Sequence, residues 1–111
     1  MVSNIARVDA LRSLGFASIT GSYTALGTAF GHPMRIVKVT NATNGDVFVS
    51  FDGTTNNLFI PAGSFVLYDI ASDDDPTEEF KLSKGTQIYI KQSSAPTSGT
   101  FYLECIYGQG E

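Results

Sequence analysis

The stretch Met34-Arg35-Ile36-Val37-Lys38-Val39-Thr40-Asn41-Ala42-Thr43-Asn44-Gly45-Asp46-Val47-Phe48-Val49-Ser50-Phe51 decides the fold class. Two runs rich in β-branched and aromatic residues lie on either side of Asn44-Gly45, a dipeptide that accepts positive φ at both central positions of a tight turn. The reading is a hairpin of Met34 to Asn41 against Val47 to Phe51. The same rhythm continues downstream. A polar loop after Asp52-Gly53 leads to Leu58 to Ile60, and Pro61-Ala62-Gly63 then reverses the chain so that Phe65 to Ile70 runs back beside it. A charged loop from Ser72 to Glu78 precedes short strands at Phe80 to Leu82 and Gln87 to Gln92, with Lys84-Gly85 turning between them. A Ser/Pro/Gly loop opens the final strand, Thr100 to Tyr107. Upstream, Ser18 to Phe30 supplies one irregular strand around Tyr23 to Leu26, which Gly31-His32-Pro33 ends. Roughly eight short strands punctuated by turn residues predict an all-β fold, a single-domain jelly roll or β-sandwich.

Alternation assigns faces. Val47, Val49 and Phe51, then Phe65 and Leu67, then Ile88 and Ile90, then Phe101, Leu103 and Cys105 are expected to interdigitate as the core. Phe48, Val66, Tyr68, Tyr89, Tyr102 and Ile106 sit one step out of register. Together they favour a sheet face that docks on something, although single apolar residues are common on surfaces.

Composition narrows the function. Charged residues are 16% of the chain against 42% apolar, which suits a folded body, and 111 residues suffice for one core without disulfides. The formal net charge of -4 and the scattered Arg7, Arg12, Arg35, Lys38, Lys81, Lys84 and Lys91 form no basic stripe, so no nucleic-acid partner is expected. No apolar run reaches the length that spans a bilayer, so no membrane association is expected. Arg7, Asp9 and Arg12 interrupt the apolar opening, unlike a secretory signal, and synthesis and assembly in the cytoplasm is the plain expectation. Cys105 is the sole cysteine and alternation turns it inward, where it serves as a small buried hydrophobe.

Residues 1–15 read as an N-terminal arm and residues 16–111 as the β-sandwich domain. Ile5, Val8, Leu11 or Arg12, and Leu14 recur at near-helical spacing, but the stretch is short and uncapped. A segment this apolar either packs on its own domain or docks on another chain.

Residues able to carry chemistry are sparse. His32 is the sole histidine, placed in a turn without a paired nucleophile. Asp73-Asp74-Asp75 with Glu78 and Glu79 matches no calcium loop and reads as a solvated acidic segment. Asn41-Ala42-Thr43 fits a glycan acceptor, which matters only in a secretory compartment. The glycines are dispersed at turns, so no phosphate-cradling loop is present. The expectation is a protein that is not an enzyme, with no catalytic residues, no cofactor and no metal.

The run Met34 to Asn41, Gly45-Asp46-Val47-Phe48-Val49-Ser50-Phe51-Asp52-Gly53, Ile60-Pro61-Ala62-Gly63-Ser64-Phe65, Lys84-Gly85-Thr86-Gln87-Ile88-Tyr89-Ile90 and Gly99-Thr100-Phe101-Tyr102-Leu103 to Tyr107-Gly108 resembles small tailed-phage virion proteins. Length and layout are most similar to the staple-type capsid decoration proteins of epsilon-type short-tailed Salmonella phages. The resemblance implies a jelly roll similar to carbohydrate-binding modules, bound on the capsid exterior of the virion to the major capsid protein, with copies paired as a homodimer near two-fold positions.

A protein that binds across the joints of a pressurised shell stabilises the assembled state by its own binding free energy. Within that reading, Ile5, Val8, Leu11 and Leu14 are the candidates for capsid contact, and Tyr68, Tyr89 and Tyr102 for capsid or self-contact. The alternative is a carbohydrate-binding or host-surface adhesion module. Five Tyr, eight Phe and Asn56-Asn57 supply rings and amides for sugars, though Trp is absent. A hydrolase would need an acid and base pair in one cleft, with Glu104 and Asp69 candidates by type alone.

Overall fold

The computed structural model describes residues 6–69 and 84–108, and within them the chain forms strands and one short 3-10 turn. In chain order the strands are β1 (Ala6–Val8), β2 (Arg12–Gly15), β3 (Thr24–Ala25), β4 (Met34–Thr43), β5 (Val47–Ser50), β6 (Leu58–Ile60), β7 (Phe65–Asp69), β8 (Tyr89–Gln92) and β9 (Gly99–Gly108). They make two antiparallel sheets that pack face to face. The first has the order β1-β9-β4-β7, with β2 also on β9, and the second has the order β3-β8-β5-β6. Residues 70–83, including the predicted strand Phe80 to Leu82 and the acidic loop, lie outside the described residues.

The pairing is nested. β5 pairs β6, β4 pairs β7, β3 pairs β8, and β1 and β2 pair β9, as in one long hairpin strip. Rolling the strip adds the contacts of β4 with β9 and β5 with β8, which close the two sheets. This is the topology of a jelly roll, and it confirms the all-β sandwich expected from the turn spacing.

Two readings of local pairing are corrected. Asn44-Gly45 is not a hairpin turn: β4 and β5 belong to different sheets, and the dipeptide carries the chain across the sandwich. Neither residue adopts positive φ, which the tight hairpin turn would require. Asn44 instead donates to Thr97 Oγ1 at 2.7 Å and accepts from the Thr97 N–H at 2.7 Å. Likewise β6 and β7 do not run side by side, because Pro61-Ala62-Gly63 also crosses between sheets. The reversal itself is present, with Ser64 N–H on the Pro61 carbonyl at 3.1 Å and Gly63 at φ 77°.

Both crossings meet at Asn41, which is fully buried. Its backbone N–H donates to Ser64 O and its carbonyl accepts from Gly63 N–H, both at 2.8 Å. Its side-chain amide donates to Gly45 O and Ile60 O, each at 2.9 Å, and Oδ1 accepts from the Thr43 N–H and hydroxyl. A buried amide with this many partners joins β4, β5, β6 and β7 at one point.

The core lies between the sheets. Val37, Val39, Phe101, Leu103 and Cys105 from the first sheet meet Val47, Val49, Ile60, Ile88 and Ile90 from the second, with Leu26 and Phe30 closing one side. Each such side chain contributes about 1.5 to 3 kcal/mol on burial. The expected inward set holds for β5, β8 and β9 but is reversed on β7. Phe65 and Leu67 are 59% and 55% exposed, whereas Val66 packs toward the core. Register decides this: Val66 sits opposite the buried Val39, and paired residues share a face.

The N-terminal segment is part of the first sheet. β1 and β2 run antiparallel along β9, and the register moves by one residue between Val8 opposite Ile106 and Arg12 opposite Leu103. That shift is a β-bulge at Ala10 and Leu11, following the bond from Asp9 N–H to Cys105 O at 2.9 Å.

Candidate interaction surfaces

The bulge sets the geometry of the N-terminal edge. It turns Arg12 inward to 8% exposure and leaves Val8 and Leu11 at 78% and 58%. Arg12 Nε donates to Thr28 O at 2.8 Å, its Nη1 meets Asp9 Oδ2 at 2.8 Å, and its guanidinium lies 5.1 Å from the Phe30 ring centre. A Cβ on Gly27 would come within 2.8 Å of the Arg12 side chain, so this glycine makes room for the arginine. Arg12 thus latches the edge strand onto the segment before β4. Burial acts to raise the Asp9 pKa, but the Arg12 hydrogen bond, the Ala10 N–H and the Arg12 charge outweigh it and hold the carboxyl below its usual value.

A carboxylate with a lowered folded pKa contributes stability above its unfolded value of about 3.9 and loses it as pH falls through the folded value. Arg12→Met is therefore expected to cost about 2 kcal/mol at pH 7, because it strands Thr28 O and the Asp9 carboxylate. The cost should shrink below about pH 4 as Asp9 protonates. Urea titrations of both proteins at pH 7 and pH 3 test this, and an equal cost at both pH values would refute the coupling.

The predicted contact residues do not gather at one place. Ile5 lies outside the described residues. Val8 and Leu11 project from the N-terminal edge, while Leu14, opposite Phe101, packs against the core. Tyr68 is half-buried on β7 opposite the core residue Val37. Tyr102 is half-buried on the outer face of the first sheet, between Thr40 and Ser13. Tyr89 is on the opposite side of the molecule, on the outer face of the second sheet beside Ser50.

Two surfaces result. The outer face of the first sheet carries Val8, Ile106, Ile36, Leu67, Phe65 and Tyr102 around Lys38, whose ammonium lies 4.8 Å from the Phe65 ring centre and 4.0 Å from Glu104. Among the described residues, the Thr40 hydroxyl buried there has no hydrogen-bond partner. The outer face of the second sheet carries Phe48 and Phe59, with ring centres 5.5 Å apart, and Lys91. Sequence reasoning missed Phe65, Leu67, Phe59 and Lys91. The signal for the first two was the parity of Val66 against Val39, which is readable only once β4 is known to pair β7.

Other candidates take structural places. His32 stacks on Tyr107, with ring centres 3.9 Å apart and planes within 2°. Burial pushes the Cys105 thiol up to about 11. Asn41, in the glycan-acceptor pattern, is buried. Among the described residues, no group of three or more His, Cys, Asp or Glu side chains is placed to hold a metal, and no helix is long and apolar enough to cross a membrane.

The described residues thus define a jelly-roll domain with an apolar edge and two distinct outer faces. No family model matches the chain, and no curated protein matches it. Among solved structures it is similar to a chain of the acid-stable capsid structure of Helicobacter pylori bacteriophage KHP30, with a TM-score of 0.60 at 12% identity. The alignment covers 99% of this chain and 92% of that one. At this identity the likeness is one of fold, and it extends over the whole domain.

Proposed function

We propose that the protein is a structural component of a bacteriophage virion. It binds the outside of the major capsid protein lattice and staples the shell against internal DNA pressure, as the staple-type decoration proteins do. The observation that carries this reading is the whole-length structural likeness to a chain from a phage capsid. The exposed Val8 and Leu11 on the bulged edge support it, since they offer apolar surface on a braced strand. Copies pair as a homodimer on the shell, so that one rigid unit spans a joint. The role is not enzymatic: binding free energy is released only on the assembled lattice, and many copies multiply a modest contact.

Co-sedimentation of the purified protein with empty shells of the phage that encodes it, followed by heating of the loaded shells, tests the proposal. Saturable binding and a higher rupture temperature are expected. The double variant Val8→Asp, Leu11→Asp should keep the wild-type unfolding temperature, because both side chains are exposed, yet lose at least about tenfold in shell affinity. Unchanged occupancy by the variant would exclude the edge as the contact. Absence of binding by the wild type would exclude the role.

A further inference from the structure

The outer face of the second sheet carries one row of side chains that crosses all four of its strands. Tyr23 immediately precedes Thr24, which pairs with Ile90, so Tyr23 stands beside Lys91. Lys91 is opposite Phe48, and Phe48 is opposite Phe59. The Lys91 ammonium lies 4.8 Å from the Tyr23 ring centre and 5.8 Å from that of Phe48. Three strand spacings of about 4.8 Å make this row roughly 15 Å long. Phe59 at its end is 49% exposed.

A polar wall stands along one side of the row. The loop between β5 and β6 leans over the sheet: a Cβ on Gly53 would touch the Tyr89 ring at 3.4 Å, and Tyr23 Oη donates to Asn56 Oδ1. The loop is organised by Asp52, whose carboxylate accepts from the Thr54 and Thr55 N–H groups at 2.8 Å and from the Ser50 hydroxyl at 2.7 Å. These bonds, that from the Thr55 N–H foremost, hold the Asp52 carboxyl well below the usual carboxylate range. The wall is therefore set before any ligand arrives.

We propose that this row and its wall form a binding site for a glycan chain that contains an acidic sugar. Pyranose rings present flat C–H faces, which pack on aromatic rings, and equatorial hydroxyls, which need donors and acceptors at the rim. Here an ammonium stands among three rings, Asn56 meets the Tyr23 hydroxyl at the rim, and Thr54 and Thr55 are exposed on the same loop. Lys91 supplies the charge complementarity. Among the described residues its ammonium meets ring faces, which leaves it able to take a sugar carboxylate. The site lies on the opposite side of the sandwich from Phe65, Leu67 and Tyr102. A particle-bound copy could engage its shell and a glycan at once, and the site stands or falls independently of the capsid role.

The test is isothermal titration of the full chain with oligogalacturonate and hyaluronan octasaccharides, with neutral xylohexaose as comparison, and backbone NMR shifts to map the site. Binding of an acidic chain that weakens with salt, with shifts centred on Tyr23, Phe48, Phe59 and Lys91, is expected. Phe59→Ala should weaken it by about tenfold, the equivalent of ~1.4 kcal/mol, and Lys91→Gln should abolish the preference for the acidic chain. Both variants should remain folded at the temperature of the titration and bind shells as the wild type does. Equal affinity for the neutral chain, shifts elsewhere, or no binding by the folded wild type would overturn the proposal.

Discussion

Asn41→Leu is expected to lower unfolding stability by about 3 to 5 kcal/mol, since leucine keeps the γ-branched shape but removes every hydrogen bond made by the Asn41 side chain. The amide donates to Ile60 O and Gly45 O, and its oxygen accepts from Thr43 N–H. Gly45 O keeps the Thr43 hydroxyl at 3.0 Å, but Ile60 O and Thr43 N–H lose their side-chain partner in a dry interior. Such a loss is a large share of the roughly 5 to 15 kcal/mol that holds a domain together. It corresponds to a fall in the melting temperature of about 15 °C or more. Asn41→Asp should be at least as damaging, because it sets a buried carboxylate oxygen against two carbonyls. Thermal and urea unfolding of both variants measure this. A cost under about 1 kcal/mol for Asn41→Leu would mean that the four strands are held together elsewhere.

Gly99→Ala is the second substitution expected to be severe. Gly99 opens β9 opposite Thr43 with φ at 95°, and a Cβ there would collide with the Ala42 carbonyl oxygen and lie 2.7 Å from Thr43 Cα. The obstacle is backbone of the central pair of the first sheet, which cannot rotate aside. Conformational strain of about 1 to 2 kcal/mol adds to overpacking of about 1 to 3 kcal/mol. Gly63→Ala is the internal control. Gly63 has a similar φ of 77° but none of the described residues comes within 4 Å of its Cβ position, so it should show the strain alone. Equal losses in the two variants would rule out a close approach of β9 to β4.

The strands were legible because inward residues such as Val47, Val49, Phe101 and Leu103 alternate with polar or aromatic neighbours, which is a local property of the chain. Pairing was not legible, and the hairpin reading of Asn44-Gly45 shows why. That dipeptide permits a tight turn without compelling it. In the fold Asn44 binds Thr97, more than fifty residues away, and Gly45 admits the backbone of Ser94 and Pro96, with Ser94 O 2.5 Å from its Cβ position. On β7, Phe65-Val66-Leu67-Tyr68 is apolar at both parities, so only the Val39 partner of Val66 assigns the faces. The candidate surfaces followed the same division. Exposure of Val8 and Leu11 was within reach of a local reading, although the strand and its bulge were not. The row from Tyr23 to Phe59 joins residues from four strands and could be seen only once the sheet order was known.

The nested pairing also bears on how the chain finds this structure. β2 and β9 are about ninety positions apart, and closing so long a loop in a single step would be slow. β5 and β6 enclose only the short Asp52 loop, and each outer pair closes over a pair that is already formed. Folding that zips outward from that loop meets a series of small entropic steps instead of one large one. The early transition state would then contain Val47, Val49 and Ile60, with the N-terminal edge joining last.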